Sequence, residues 1–153
     1  MSSKQNITLT DETLSIASPI STVFAFLSNH ENYIAWYPGV VSVTAEDRLP
    51  PGTVGKVYNE TLRLPSGRHR AFDITVVESR APELFMTEGT LAPVHPRMEM
   101  RLTATSAQET TLNLKFLSRN PSALGRFLIH ALVARAVRRQ SKAGLLKLKS
   151  LLE

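Results

Sequence analysis

The sequence predicts an α+β fold in which an antiparallel sheet packs against one long C-terminal helix. Three observations predict it. Residues 121 to 152 are dominated by Leu, Ala, Val, Lys and Arg, with no proline after Pro121 and no β-branched run, which is the composition of one uninterrupted helix. From Val40 to Leu117 the apolar residues recur with a period of two, broken by turns containing Pro and Gly, as in successive antiparallel strands. The order of elements is strand, two short helices, six strands and one long helix, so only the last helix is large enough to cover the apolar face of the sheet.

Residues 7 to 17 alternate in part, with Ile7 and Leu9, then Leu14 and Ile16, around the polar Thr10, Asp11, Glu12 and Thr13, and read as a strand interrupted in its middle. Ser18 and Pro19 follow as N-cap and first helical residue. Ile20, Val23, Phe24 and Leu27 then take the i, i+3, i+4, i+7 spacing of a core-facing helix. A second short helix runs through Glu31, Tyr33, Ile34 and Trp36 until Pro38 and Gly39 stop it. Val40 to Ala45 opens the sheet. Further strands are expected over residues 54 to 64, 69 to 78, 84 to 88, 98 to 104 and 111 to 117, seven in all, with residues 89 to 97 as the longest connection between strands. For the final helix Asn120 is the expected N-cap and Pro121 the first helical residue. Its length would be about 48 Å, against a radius of gyration of about 15 Å for a domain of this size, so it crosses the domain, bends or protrudes. Gly144 is the expected point of a bend or break.

A chain of 153 residues with 42% hydrophobic content suits one domain, residues 1 to 153, with a full core. The absence of cysteine excludes disulfides, thiol nucleophiles and thiolate metal sites. His30, His69, His95 and His130 are scattered without metal-ligand spacing, so no metal and no cofactor is expected. No phosphate-binding glycine loop and no Gly-x-Ser-x-Gly elbow is present. Neither a signal peptide nor a membrane span can be read, and the expected location is the cytoplasm. The net charge of +5 is concentrated: residues 121 to 153 hold seven basic residues and one acid, leaving 11 basic and 12 acidic residues elsewhere. That is a basic stripe on one helix, and nucleic acid is not the expected partner.

The segment Ala17 to Val40 reads ASPISTVFAFLSNHENYIAWYPGV, and in it the Ala17-Ser18-Pro19 helix start, the Val23-Phe24-Ala25-Phe26-Leu27 helix, the Glu31-Asn32-Tyr33 turn and Trp36 before Pro38-Gly39-Val40 resemble the START-like, helix-grip superfamily, specifically its polyketide cyclase/dehydrase and lipid-transport group. Gly52-Thr53-Val54-Gly55, the Ser66-Gly67 hairpin and the terminal amphipathic helix agree more loosely. The resemblance implies a curved seven-stranded antiparallel sheet around the C-terminal helix, with two short helices after the first strand and a mostly apolar cavity in between. It also implies a small hydrophobic ligand (lipid, sterol, polyketide or hormone) and, in some members, cyclisation or aromatisation. It carries no shared catalytic residue set to positions in this chain.

Several side chains are candidates for such a site. On a helical wheel His130 falls within the apolar arc of Ile129, Val133 and Val137, either as a cavity-lining imidazole or, more commonly for such a residue, as a core histidine bonded to a backbone or carboxylate partner. Glu60 alternates with Tyr58 and Leu62, so it is a polar anchor or proton acceptor if that face is concave and a solvated carboxylate if not; Lys56, of the same parity, argues for the solvated face. Phe72, Phe85, Met98 and Met100 are expected on the concave face, while Asp73 and Glu99 face water. Trp36 is a ligand contact or, preferably, a core aromatic. His95 sits in a loop that is either a lid or a rigid surface connection.

These residues support a binding or carrier protein for a small hydrophobic ligand contacted by Trp36, Tyr58, Glu60, Phe72, Phe85, Met98, Met100 and His130. The rival is a cyclase or dehydratase using His130, Glu60 and Tyr58 as acid/base groups. A third reading is a membrane or protein interaction module, with the basic helix face touching an anionic membrane weakly. The chain is expected to act as a monomer or homodimer.

Overall fold

A computed structural model describes residues 6–153. Seven strands, β1 (Ile7–Ile16), β2 (Val40–Ala45), β3 (Val57–Arg63), β4 (His69–Arg80), β5 (Leu84–Gly89), β6 (Pro96–Ser106) and β7 (Glu109–Ser118), form one open antiparallel sheet in the order β1-β7-β6-β5-β4-β3-β2. Helix α1 (Ile20–Leu27) and a 3-10 helix (His30–Ala35) link the two edge strands, and helix α2 (Ala123–Leu152) ends the chain. Register shifts between Thr8 and Thr10, Val40 and Ser42, Val76 and Glu78, and Ala104 and Ser106 place four bulges in the sheet, and bulges bend strands and increase their twist. This is the expected α+β, helix-grip arrangement. No helix among the described residues is long and apolar enough to cross a membrane.

Several local expectations need correction. The interruption of β1 is a bulge at Leu9, ahead of the polar stretch. Pro19, rather than Ser18, occupies the N-cap of α1, and the buried Ser18 uses its carbonyl to accept from Thr110 Oγ1 at 2.8 Å. Strand β3 starts at Val57, later than the alternation suggests, because Gly55 takes φ +94° and the Lys56 N–H closes a turn onto the Thr53 carbonyl. The connection over residues 46 to 56 is longer than the one over residues 90 to 95. Ser122 caps α2 by accepting from the Gly125 N–H at 3.1 Å; Asn120 instead accepts from the Ser122 N–H and donates to the Pro93 carbonyl.

The largest correction concerns Gly144. Helix α2 runs through it without a break, and Gly144 is buried. A Cβ there would lie 3.2 Å from both the Trp36 carbonyl oxygen and Pro38 Cδ. The glycine is therefore a point of close approach between α2 and the chain entering β2. The last two turns of α2, beyond it, are well packed: Leu145 and Leu148 join the core with Ile16, Val23 and Tyr58, each large side chain contributing about 1.5–3 kcal/mol by burial. Lys149 Nζ donates to the Ser15 carbonyl at 2.8 Å, and Glu153 accepts from the Ala17 N–H at 2.9 Å. So α2 is tied to β1 at one edge of the sheet and pressed by Gly144 against the approach to β2 at the other. It spans the opening between the two edges.

Candidate functional site

The space under α2 is filled unevenly. Toward its C-terminal half the core is closed. Around Val133, Ala136, Val137 and Gln140 a cavity of about 220 Å³ remains between helix and sheet. Glu60, Leu62, Phe72, Ile74, Thr87 and Met98 form its sheet wall, and Leu91, Val94 and Pro96 a second wall. Gly89 keeps the sheet wall open, because a Cβ at that position would come within 2.9 Å of Ile74 Cδ1.

The third wall is aromatic and follows from the 3-10 helix. With three residues per turn, positions i and i+3 eclipse, so His30 and Tyr33 stack with ring centroids 4.7 Å apart, and Trp36 meets Tyr33 edge-on at 5.1 Å. Tyr33 stacks in turn on Tyr37 at 4.8 Å, and Tyr37 tilts against Phe116 of β7 at 5.6 Å. His30, Tyr33, Tyr37 and Phe116 all border the cavity. The Tyr37 hydroxyl is 3.0 Å from Ser141 Oγ, fixing this wall to α2.

One ionisable pair stands among these apolar groups. His30 Nε2 lies 2.8 Å from Glu60 Oε1, and the residues are only 2% and 3% exposed. Glu60 pairs across the sheet with Val43 on one side and Phe72 on the other, which fixes its side chain on the concave face. The neighbouring phenols feel it. Burial pushes the Tyr33 hydroxyl well above its ordinary pKa, with Tyr37 and Glu60 adding to the shift. Burial likewise takes Tyr37 up to about 12, opposed by the Ser141 hydrogen bond and reinforced by Glu60. The nearby buried cation, Lys56, is committed elsewhere, at 3.0 Å from Asp47 Oδ1. It is buried rather than solvated, so it is no argument for a wet face.

The predicted site residues divide into three groups. Glu60, Phe72 and Met98 border the cavity. Trp36, Tyr58, Phe85 and Met100 are buried in the surrounding core and do not line it. Tyr58 backs the pair, its ring 5.4 Å from that of His30; burial raises its pKa, and its hydroxyl has no well-aligned hydrogen-bond partner among the described residues. His130 is exposed and is not among the residues that border the cavity. The helical wheel places it inward, but on that turn Ile129 is the residue that packs on the sheet, against Leu9 of β1, and His130 is left at the surface. Asp73 and Glu99 are half-buried on the opposite face from Phe72 and Met98, and Glu99 accepts from Arg97 Nε at 2.7 Å.

Sequence reasoning missed His30. The signal lay in the spacing of His30, Tyr33 and Trp36, which a period of three puts in one row. The His95 loop is stitched down: Val94 accepts from Ser118 Oγ at 2.6 Å, Pro93 from Asn120 Nδ2 at 2.7 Å, and His95 from the Arg119 N–H at 3.0 Å. It is a fixed wall and not a free lid. Among the described residues no three His, Asp or Glu side chains come together as a metal site.

A sheet gripping a long helix over an apolar cavity is the helix-grip fold. The chain belongs to the polyketide cyclase/dehydrase and lipid transport family, whose model matches residues 8–153. Among solved structures it is similar to the Zhui aromatase/cyclase from Streptomyces sp. R1128, with 18% identity, a TM-score of 0.73, and coverage of 96% of this chain and 93% of that one. The di-domain aromatase/cyclase StfQ of the steffimycin pathway matches with 14% identity and a TM-score of 0.74 over 98% of this chain, which spans only 51% of StfQ. Ara h 8.0201 matches with 12% identity and a TM-score of 0.68 over 96% of this chain and 97% of its own. At these identities the likeness is one of fold. No curated protein matches the sequence.

Proposed function

We propose that the protein binds or carries, in the cytoplasm, a small and largely apolar molecule that presents a hydrogen-bond donor to Glu60. The observation that carries this reading is the His30–Glu60 pair, buried yet bordering an otherwise apolar cavity. A buried carboxylate needs its oxygens satisfied, and one imidazole contact leaves room for a second donor. A phenol, enol or alcohol supplies it, whereas a second carboxylate repels. A cavity of about 220 Å³ suits a compact ring system.

Calorimetry with naphthalene, 1-naphthol and 1-naphthoate tests the proposal, alongside mass spectrometry of organic extracts of the purified protein. The naphthol should bind at least about tenfold tighter than either companion, since a hydrogen bond to a charged group is worth about 1.5–3 kcal/mol. Glu60→Gln should remove most of that preference. Binding of none of the three would sink the reading.

The same pair favours a second reading. Zhui and StfQ are aromatase/cyclases, and an imidazole–carboxylate pair facing an apolar cavity can take a proton from a carbon next to a carbonyl and return it to a leaving hydroxyl. Here His30 and Glu60 hold the acid/base roles and Tyr58 backs them; His130 has none. Retained binding of a polyketide-like substrate by Glu60→Gln, with turnover lost, would select this reading over simple carriage.

A further inference from the structure

The outer face of α2 is unlike the outer face of a helix that merely meets water. Leu124, Phe127, Leu128 and Leu132 fall on one side of its first turns and are 48–79% exposed. At 100° per residue Arg135, Arg138, Arg139 and Lys142 continue the same side along the next two turns, all exposed. No acidic residue occurs from Ala123 to Leu152. Among the described residues Arg135, Arg138 and Arg139 take part in no salt bridge, and Lys142 reaches only Glu12, at 3.9 Å. Scattered surface leucines need no explanation, but four large side chains in three turns, continued by four cations, form a patch that wants a partner.

We propose that this face of α2 docks on an anionic lipid bilayer, its first turns entering the boundary between headgroups and acyl chains and its basic turns lying among the headgroups. The charge selects the partner. The same face of a second copy holds no acid and would leave the basic row unneutralised, whereas an anionic surface neutralises it. The underside of the same turns supplies Val133, Ala136, Val137 and Gln140 to the cavity, so docking brings the cavity within one helix diameter, about 10 Å, of the lipid. The inference rests on the exposed face alone and holds whether or not Glu60 selects the ligand.

The test is co-flotation of the full chain with vesicles of phosphatidylcholine alone and of phosphatidylcholine mixed with phosphatidylglycerol, with sedimentation in parallel. Binding to the mixed vesicles should be at least about tenfold tighter and should weaken with salt, each basic residue being worth about fivefold. Phe127→Ser with Leu132→Ser should reduce binding to the mixed vesicles without changing charge. Arg135→Gln with Arg138→Gln and Arg139→Gln should abolish the preference for anionic lipid. All five positions are outside the core, so unchanged circular dichroism and melting verify that the variants fold. Absence of binding to the mixed vesicles, or binding untouched by these substitutions, overturns the proposal. So does a dimer that Phe127→Ser dissociates in a protein that binds no vesicles, which would make the face an interface between copies.

Discussion

Removing the imidazole of His30 would strand the Glu60 carboxylate in a wall of Tyr33, Phe72 and Ile74, with Lys56 held by Asp47. Breaking a buried pair from one side costs about 3–5 kcal/mol, while replacing both partners by apolar groups is often close to neutral. His30→Leu should therefore lower the urea-unfolding free energy by about 3 kcal/mol, and the double change His30→Leu with Glu60→Leu should restore most of it. Additive losses would mean that the two side chains are solvated independently and that the pair is not the polar centre of the cavity. The contrast between these residues also shows what a sequence reveals of a site. Glu60 could be found because strand parity ties it to Tyr58 and Leu62. His30 could not be found by helix or strand periods, because the 3-10 helix that aligns it with Tyr33 obeys neither. His130 misled because a wheel gives the angle of a side chain and not which neighbour on the turn meets the sheet, here Ile129.

At the scale of elements, α2 runs unbroken through Gly144, the residue whose helix propensity argues for a break. Exchanging a mid-helix glycine for alanine normally stabilises by about 0.5–1 kcal/mol. Here the new methyl would press on the Trp36 carbonyl, Pro38 and the Tyr37 ring, all within 3.2–3.3 Å, and overpacking of that kind costs about 1–3 kcal/mol. Gly144→Ala should thus be destabilising by about 1 kcal/mol in thermal or urea unfolding, opposite in sign to the propensity rule. A stabilised variant would show that the approach to β2 yields easily and that the close contact is incidental. Most strands were legible because Pro50 to Gly52, Pro65 to Gly67 and Pro82 mark turns between alternating runs, while the tight β6–β7 turn at Ala107 and Gln108 carries neither Pro nor Gly and β5, buried at nearly every position, does not alternate. Which half of α2 is buried was not legible, since Leu124, Phe127, Leu128 and Leu132 are as apolar as Leu145 and Leu148. Only the position of β1 and of the Trp36–Pro38 segment separates the two halves.

At the scale of the whole molecule, the aromatic wall couples the stability of the fold to alkaline pH. Tyr33 and Tyr37 sit between the 3-10 helix, β7 and α2, and their hydroxyls are held protonated by burial, Tyr37 to about pH 12 and Tyr33 in the same direction. In the unfolded chain a tyrosine loses its proton near pH 10. A pKa raised by folding gives stability that is fully present below the unfolded value and is lost as pH rises toward the folded one. Between about pH 10 and 12 the unfolded chain holds fewer protons than the native one, so stability falls with pH, by about 2–3 kcal/mol from Tyr37 alone. Urea unfolding followed across that range should show the loss, and absorbance of tyrosinate should rise with unfolding rather than ahead of it. Tyr37→Phe forfeits the Ser141 hydrogen bond and should be less stable at neutral pH, yet its stability should fall less steeply above pH 10. A parallel fall in both proteins would place the alkaline transition elsewhere and separate the aromatic wall from the global stability of the fold.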